Sequence, residues 1–262
     1  MNMWRLVFKR ERGFICLFLF VISGASWWYL YHMSQMMPAH AQFLWPVAGE
    51  ENSLAAPFTS WSLSTFAYIL FMWVIMMVAM MVPGAAATIL AYDSLGKNNR
   101  QYAHSLAFTL GYILVWSAFS LAATLLQWLL AETNLISDIM VTPPQMAAPL
   151  LICAGIYQCL AIKQSCLIHC QSPFEFLTRH LKPGLSGALK MGLHHGSYCL
   201  GCCWLLMLLL FVGGVMNLFW IAALTLFVLL EKILPFPEKS SYISGALLIL
   251  LGGFMGLNSV LS

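Results

Sequence analysis

The chain is built from seven apolar runs at or near the length that crosses a bilayer, joined by polar connectors. In hydrocarbon no backbone N–H or C=O can go unpaired, so such runs become helices that pack on one another. They fall at about 14–31, 65–91, 105–131, 146–162, 191–213, 218–234 and 242–257. Only 8% of the 262 residues are charged, where a soluble domain carries roughly a quarter. Removing the runs leaves nothing large enough for a soluble domain. The expected fold is all-α, a polytopic membrane helical bundle of seven transmembrane helices. One transmembrane domain fills 1–262, with residues 1–60 as a first span and outer loop and 61–257 as a six-helix core.

The basic residues orient the bundle. With a cytoplasmic N-terminus and seven crossings, all twelve Lys and Arg fall on the inner side and the C-terminus lies outside. The net charge of +3 is thus spread over membrane connectors, which excludes nucleic acid and makes the lipid bilayer the first partner. Arg5, Lys9, Arg10 and Arg12 before the first run resemble the start of a signal peptide, and Ala39-His40-Ala41 has the form of a cleavage site. The run is long and that triplet lies well beyond its end, which favours an uncleaved span. Trp27, Trp28, Tyr29 and Tyr31 close the outer end of the span as an aromatic belt.

Against this apolar background one stretch stands out, His194–Met207, HHGSYCLGCCWLLM. At helical spacing His195, Cys199, Cys203 and Met207 form one row along one face, with Cys202 beside it. Thiols, a thioether and an imidazole on adjoining faces are the donor set of a Cu(I) or zinc site. The eight cysteines lie in or next to apolar runs, which suits ligands, redox groups or packing better than extracellular disulfides.

Two further groups share this chemistry. In the second run Met72, Met76 and Met80 make one row, and Met77 and Met81 the next. Such rows are either a soft packing face or a set of thioethers suited to Cu(I). Pro83 leaves the carbonyl of Ala79 without its helical donor. Cys199 lies about 12 Å along its helix from the inner end, and Met80 and Met81 about 15 Å along theirs, so the depths match. Past the fourth run, Cys159, Lys163, Cys166, His169 and Cys170 form a cluster in which Cys166, His169 and Cys170 share a face at the cytoplasmic surface. Such a face could load or release a soft metal, or could carry its cysteines incidentally.

Other residues read more simply. Glu231 and Lys232 suit an interfacial ion pair or snorkelling at the inner end of the sixth run. His194 faces away from the His195 row and suits the interface. Asn217 is placed to cap the sixth helix, and Gly252 and Gly256 allow a close helix approach. The short connectors after the fifth and sixth runs make spans five, six and seven antiparallel neighbours. No paired carboxylates, phosphate loop or Ser-His-Asp pattern is placed for catalysis, which points away from an enzyme.

Three motifs together resemble a known family. They are Met72-Trp73 through Met80-Met81-x-Pro83; Tyr157-Gln158 through Lys163, Cys166, His169-Cys170 and Ser172-Pro173; and Gly192 through His195-Gly196, Cys199, Gly201-Cys202-Cys203-Trp204. The chain is similar to the bacterial family of predicted metal-binding integral membrane proteins, domain of unknown function 2182, over about 61–257. Phe211–Asn217 and Glu231-Lys232 also match, while Gly84 stands where Ser is expected and His194 where Arg is commoner. The resemblance implies a multi-pass, metal-binding protein, and with the positive-inside pattern a place in the bacterial inner membrane.

The leading reading is a membrane protein that binds Cu(I), with zinc as the alternative metal, for uptake, transfer or delivery to a metal-donor or metal-acceptor protein. Its ligands would come from His195, Cys199, Cys202, Cys203 and Met207, from Met76, Met77, Met80 and Met81, and from Cys166, His169 and Cys170. A membrane thiol oxidoreductase using Cys199-x-x-Cys202, or a structural membrane subunit, would use the same residues differently.

Overall fold

The computed structural model describes residues 10–35, 62–95, 101–132, 144–234 and 237–261. Among them the secondary structure is all helical. The helices are α1 (Arg10–Gln35), α2 (Leu63–Leu95), α3 (Gln101–Glu132), α4 (Pro144–Cys159), α5 (Ala161–Gln171), α6 (Pro173–His180), α7 (Gly184–Leu208), α8 (Leu210–Gly213), α9 (Leu218–Ile233) and α10 (Pro237–Leu261). The candidate cleavage triplet at Ala39-His40-Ala41 and the basic residues Arg5, Lys9, Lys97 and Arg100 lie outside the described residues.

Five helical stretches are long and apolar enough to cross a membrane: Gly13–Gln35, Leu63–Leu95, Gln101–Glu132, Gly184–Gly213 and Glu238–Ser259. The fourth run differs from the straight span expected of it. It is broken into α4 and α5, which meet at an angle of 66°. Leu160 between them is extended, at φ −76° and ψ 140°, and neither Pro nor Gly stands at the break. The sixth run is the 16-residue α9, about 24 Å long at helical rise and shorter than a typical crossing.

Packing follows small residues more than chain order. Spans five, six and seven, expected as neighbours from their short connectors, do touch, but α7 packs chiefly on α3 and α10 chiefly on α4. On the first face Gly111 and Gly192 bring the two backbones together. A Cβ on Gly192 would collide with the Phe108 carbonyl, and one on Gly111 with the Leu189 carbonyl. On the second, Gly252 lies against Ala148, where a Cβ would come within 2.8 Å of its carbonyl oxygen. Gly256 makes only ordinary contact with the Ala148 side chain. Without a hydrophobic drive between helices in lipid, such close backbone contact is what selects partners.

α2 runs unbroken through Pro83. The Ala79 carbonyl that Pro83 leaves open accepts a hydrogen bond from the Trp27 indole of α1 at 3.1 Å. Trp27 is therefore turned toward the bundle rather than the belt, while Trp28 and Tyr31 are exposed to the surroundings. After α8, Gly214 at φ +89° reverses the chain. The Asn217 side chain then caps α9, accepting from the Trp220 N–H at 3.2 Å.

The polar stretch after α4 does not all face water. Lys163 is fully buried, and its ammonium donates to both carboxylate oxygens of Glu231 at 2.7 and 2.8 Å, and to Gln158. The expected Glu231–Lys232 interfacial pair is thus corrected, because a carboxylate this buried needs a full counter-charge within reach. Breaking such a pair from one side costs about 3–5 kcal/mol, because the other charge is stranded. Lys163→Met or Glu231→Gln alone should therefore lower the thermal unfolding midpoint in detergent strongly. The Lys163→Met, Glu231→Leu double variant should recover much of that loss, and equal or additive losses would refute the pairing.

Candidate metal centre

α7 begins at Gly184, after Pro183, and runs through residues whose polar members repeat every fourth position. That repeat puts His195, Cys199, Cys203 and Met207 on the side facing protein, and each is 2% exposed or less. Cys202, one position before Cys203, is also buried. The thiols of Cys202 and Cys203 donate back to the Cys199 carbonyl at 3.1 and 2.9 Å, so the sulfurs gather around one turn.

The bend at Leu160 brings a second helix to the centre. It turns α5 so that Cys170, near its C-terminal end, reaches α7, and the sulfur atoms of Cys170, Cys199 and Cys202 all lie within 4.8 Å of one another. All three residues are buried. Sequence spacing groups Cys170 with Cys166 and His169. In space Cys170 joins Cys199 and Cys202, whereas Cys166 packs over Gly201 and His169 stacks on Tyr198 with ring centroids 4.4 Å apart.

Two groups from other helices complete the surroundings of Cys199. The Tyr112 hydroxyl of α3 lies 3.1 Å from its sulfur and donates to the Met81 carbonyl of α2 at 3.0 Å. The Lys232 ammonium of α9 donates to the same sulfur at 3.0 Å. Lys232 reaches it across Gly84, where a Cβ would lie 2.9 Å from the lysine nitrogen. The smaller residue at position 84 therefore makes the lysine's place. Lys232 is neither paired with Glu231 nor snorkelling to water, but is directed at a thiol, which corrects its expected role.

His195 sits one turn before Cys199, walled by the rings of Phe108, Tyr112 and Phe176. Among the described residues its Nδ1 is buried without a hydrogen-bond partner. Met72, Met76, Met77, Met80 and Met81 all face inward and are at most 2% exposed. α2 packs mainly on α1 and α3, and its link to Cys199 is the Met81 backbone carbonyl, through the Tyr112 hydroxyl.

The sequence reading missed Tyr112 and the direction of Lys232. Both carried a signal: a hydroxyl in an apolar span needs a buried partner, and a charge inside a membrane helix marks a functional position by default.

Comparison with known proteins adds one finding. A family model described as "PpoB2: Copper chaperone" matches residues 70–255. The chain belongs to that family. The PpoB2 match covers α3 to α9 whole and most of α2 and α10, and so contains every sulfur of the centre. It supports a copper-related family, under a different name from the metal-binding family, domain of unknown function 2182, that the motifs resemble. No curated protein and no solved structure matches the chain.

The geometry has a direct chemical readout. Dibromobimane, a short bifunctional thiol reagent, should join Cys170 to Cys199 or Cys202 in the folded protein, giving a peptide pair that links α5 to α7 by mass spectrometry. Unfolding before treatment should abolish that link. Reaction of Cys170 only with Cys166 would contradict the arrangement.

Proposed function

We propose that this PpoB2-family protein holds Cu(I) as cargo on the thiols of Cys170, Cys199 and Cys202 and passes it to or from a partner protein at the membrane. The observation that carries this reading is the buried three-sulfur cluster in a chain of a copper-chaperone family. Soft thiolates select Cu(I), and three sulfurs suit its low coordination numbers better than the closed four-ligand set of structural zinc.

Lys232 supports the same reading on electrostatic grounds. Three thiolates around a monovalent ion leave two net negative charges, which is costly in a low-dielectric interior. The ammonium 3.0 Å from Cys199 offsets one of them. Cys203, His195 and Met207 flank the cluster and can take up the ion as it moves. Met76, Met77, Met80 and Met81 offer buried thioethers on α2, the helix whose Met81 carbonyl accepts from Tyr112. Cys166 and His169 lie on the outer side of Cys170 along α5.

The topology we infer has seven crossings, with the bent α4–α5 pair and the short α9 counted among them, the N-terminus in the cytoplasm and the C-terminus outside. The inner membrane then places Cys170, and the loop after it, on the cytoplasmic side. A thiol oxidoreductase would use the same sulfurs. What favours copper over disulfide exchange is the third sulfur and the fixed cation beside the central one.

Anaerobically purified protein should bind one Cu(I) per chain. Cys170→Ser, Cys199→Ser or Cys202→Ser should each weaken binding by more than about 10-fold, the least that even an outer-shell partner is worth. Cys153→Ser, at an exposed position, serves as a control and should change nothing. Lys232→Met should weaken binding by about 10-fold, with Lys232→Arg retaining most of it, as loss of one compensating charge implies. Unchanged Cu(I) affinity in the Cys199→Ser, Cys202→Ser double variant would overturn the proposal.

A further inference from the structure

Three histidines outside the thiol centre converge from three helices. His169 comes from α5, His180 from α6 and His194 from α7, and they surround Tyr198. His169 and His194 each stack on the tyrosine ring, with centroids 4.4 and 5.0 Å away. His180 meets His194 edge-on at 4.5 Å. His194 is exposed and His180 half-buried, so this group opens to the surroundings while the thiols do not.

Their local hydrogen bonds fix the chemistry of two of the rings. Nδ1 of His180 lies 3.0 Å from the Phe176 carbonyl, and Nδ1 of His169 lies 2.7 Å from the Ser165 carbonyl. A carbonyl oxygen can only accept, so Nδ1 must carry the proton in each ring. The lone pair is then on Nε2. This is the arrangement by which backbone carbonyls prepare a histidine to bind a metal.

Phe176 divides the two regions. It is buried, and its ring lies 4.9 Å from His180 on one side and 5.1 Å from His195 on the other. α6 places it there for a simple reason. Pro173 opens that short helix, Glu175 sits in its first turn, Arg179 and His180 sit in its last, and Phe176 and Leu177 are the residues it buries. Phe176 and His180, at i and i+4, share one face of α6 and stack there, the phenyl ring buried and the imidazole half-buried.

We infer that His180 and His194 form a second, outer metal site, a two-imidazole station for a late first-row transition-metal ion such as copper, with Phe176 as the partition between it and the buried thiols. Its ligands are independent of the thiol centre; its role as a station that loads that centre rests on the copper reading above. Imidazole accepts copper and zinc alike and holds them in the presence of water, which suits capture at a surface. Thiols behind an aromatic ring suit retention.

The site is tested first without the thiols. Full-length protein carrying Cys170→Ser, Cys199→Ser and Cys202→Ser is titrated in detergent with Cu2+ and followed by electron paramagnetic resonance. The expected result is a bound copper with nitrogen hyperfine structure, weakened more than about 10-fold by adding His180→Asn and His194→Asn, and unaffected by His32→Asn on α1. No bound copper in the parent, or an unchanged nitrogen pattern in the double histidine variant, would overturn the site.

Loading is then followed in protein with all its cysteines, which also covers the case in which the serine variant does not fold. Cu(I) delivered from a weak soluble chelate should reach the thiols about 10-fold more slowly in His180→Asn, His194→Asn protein, with the same final occupancy. An unchanged rate would overturn the loading role. Failure of the thiols of the unsubstituted protein to take copper at all would instead overturn the thiol reading, and the resonance result decides the outer site without it.

Discussion

A lysine ammonium inside an apolar helical bundle must find an electron-rich partner, and in this protein the partner of Lys232 is the sulfur of Cys199. That contact ties α9 to α7. Tyr112 ties α3 and the α2 backbone to the same sulfur. Three helices therefore meet at one sulfur atom, with α2 one hydrogen bond further away, in a region where unpaired polarity is expensive. The rest of the architecture follows from keeping these groups together. Gly111 and Gly192 let α3 and α7 approach closely enough for Tyr112 to reach, and Gly84 leaves the channel through which the lysine side chain passes.

A second buried charge plays a different part. Lys163 and Glu231 neutralise each other on the α5 side of α9. Because Glu231 is taken by Lys163, Lys232 is left to face the thiols, although the two residues are adjacent in sequence. Neighbouring positions on a helix point about 100° apart, so the Glu-Lys pair addresses two separate partners. The same reasoning explains the bend before α5. It brings Lys163 to Glu231 and Cys170 to α7 in one turn of the chain, so the ion pair holds the helix that carries the third sulfur.

The helical character of the bundle was readable from hydropathy, and five of the runs became membrane-length helices at nearly the expected limits. The inward row of His195, Cys199, Cys203 and Met207 was readable from spacing alone, because helical periodicity fixes which residues share a face. The partnership of Cys170 with Cys199 and Cys202 was not. It depends on a 66° change of direction at Leu160, where neither Pro nor Gly marks the break. Lys232 was misread as an interfacial charge because one-dimensional charge patterns report which end of a span a residue is near, not which way its side chain turns. His180 and His194 drew little notice for a related reason: they lie fourteen residues apart on two helices, so only the fold brings their rings together.

The central claim is that sulfur from two helices, α5 and α7, encloses the copper. X-ray absorption at the copper edge of anaerobically loaded protein tests it most directly, since the first coordination shell distinguishes sulfur from nitrogen and oxygen and counts them. The account predicts a Cu(I) edge with a shell of two or three sulfurs, reduced in sulfur number when Cys170 is replaced by Ser. A shell dominated by nitrogen or oxygen, or one unchanged by that replacement, would contradict it.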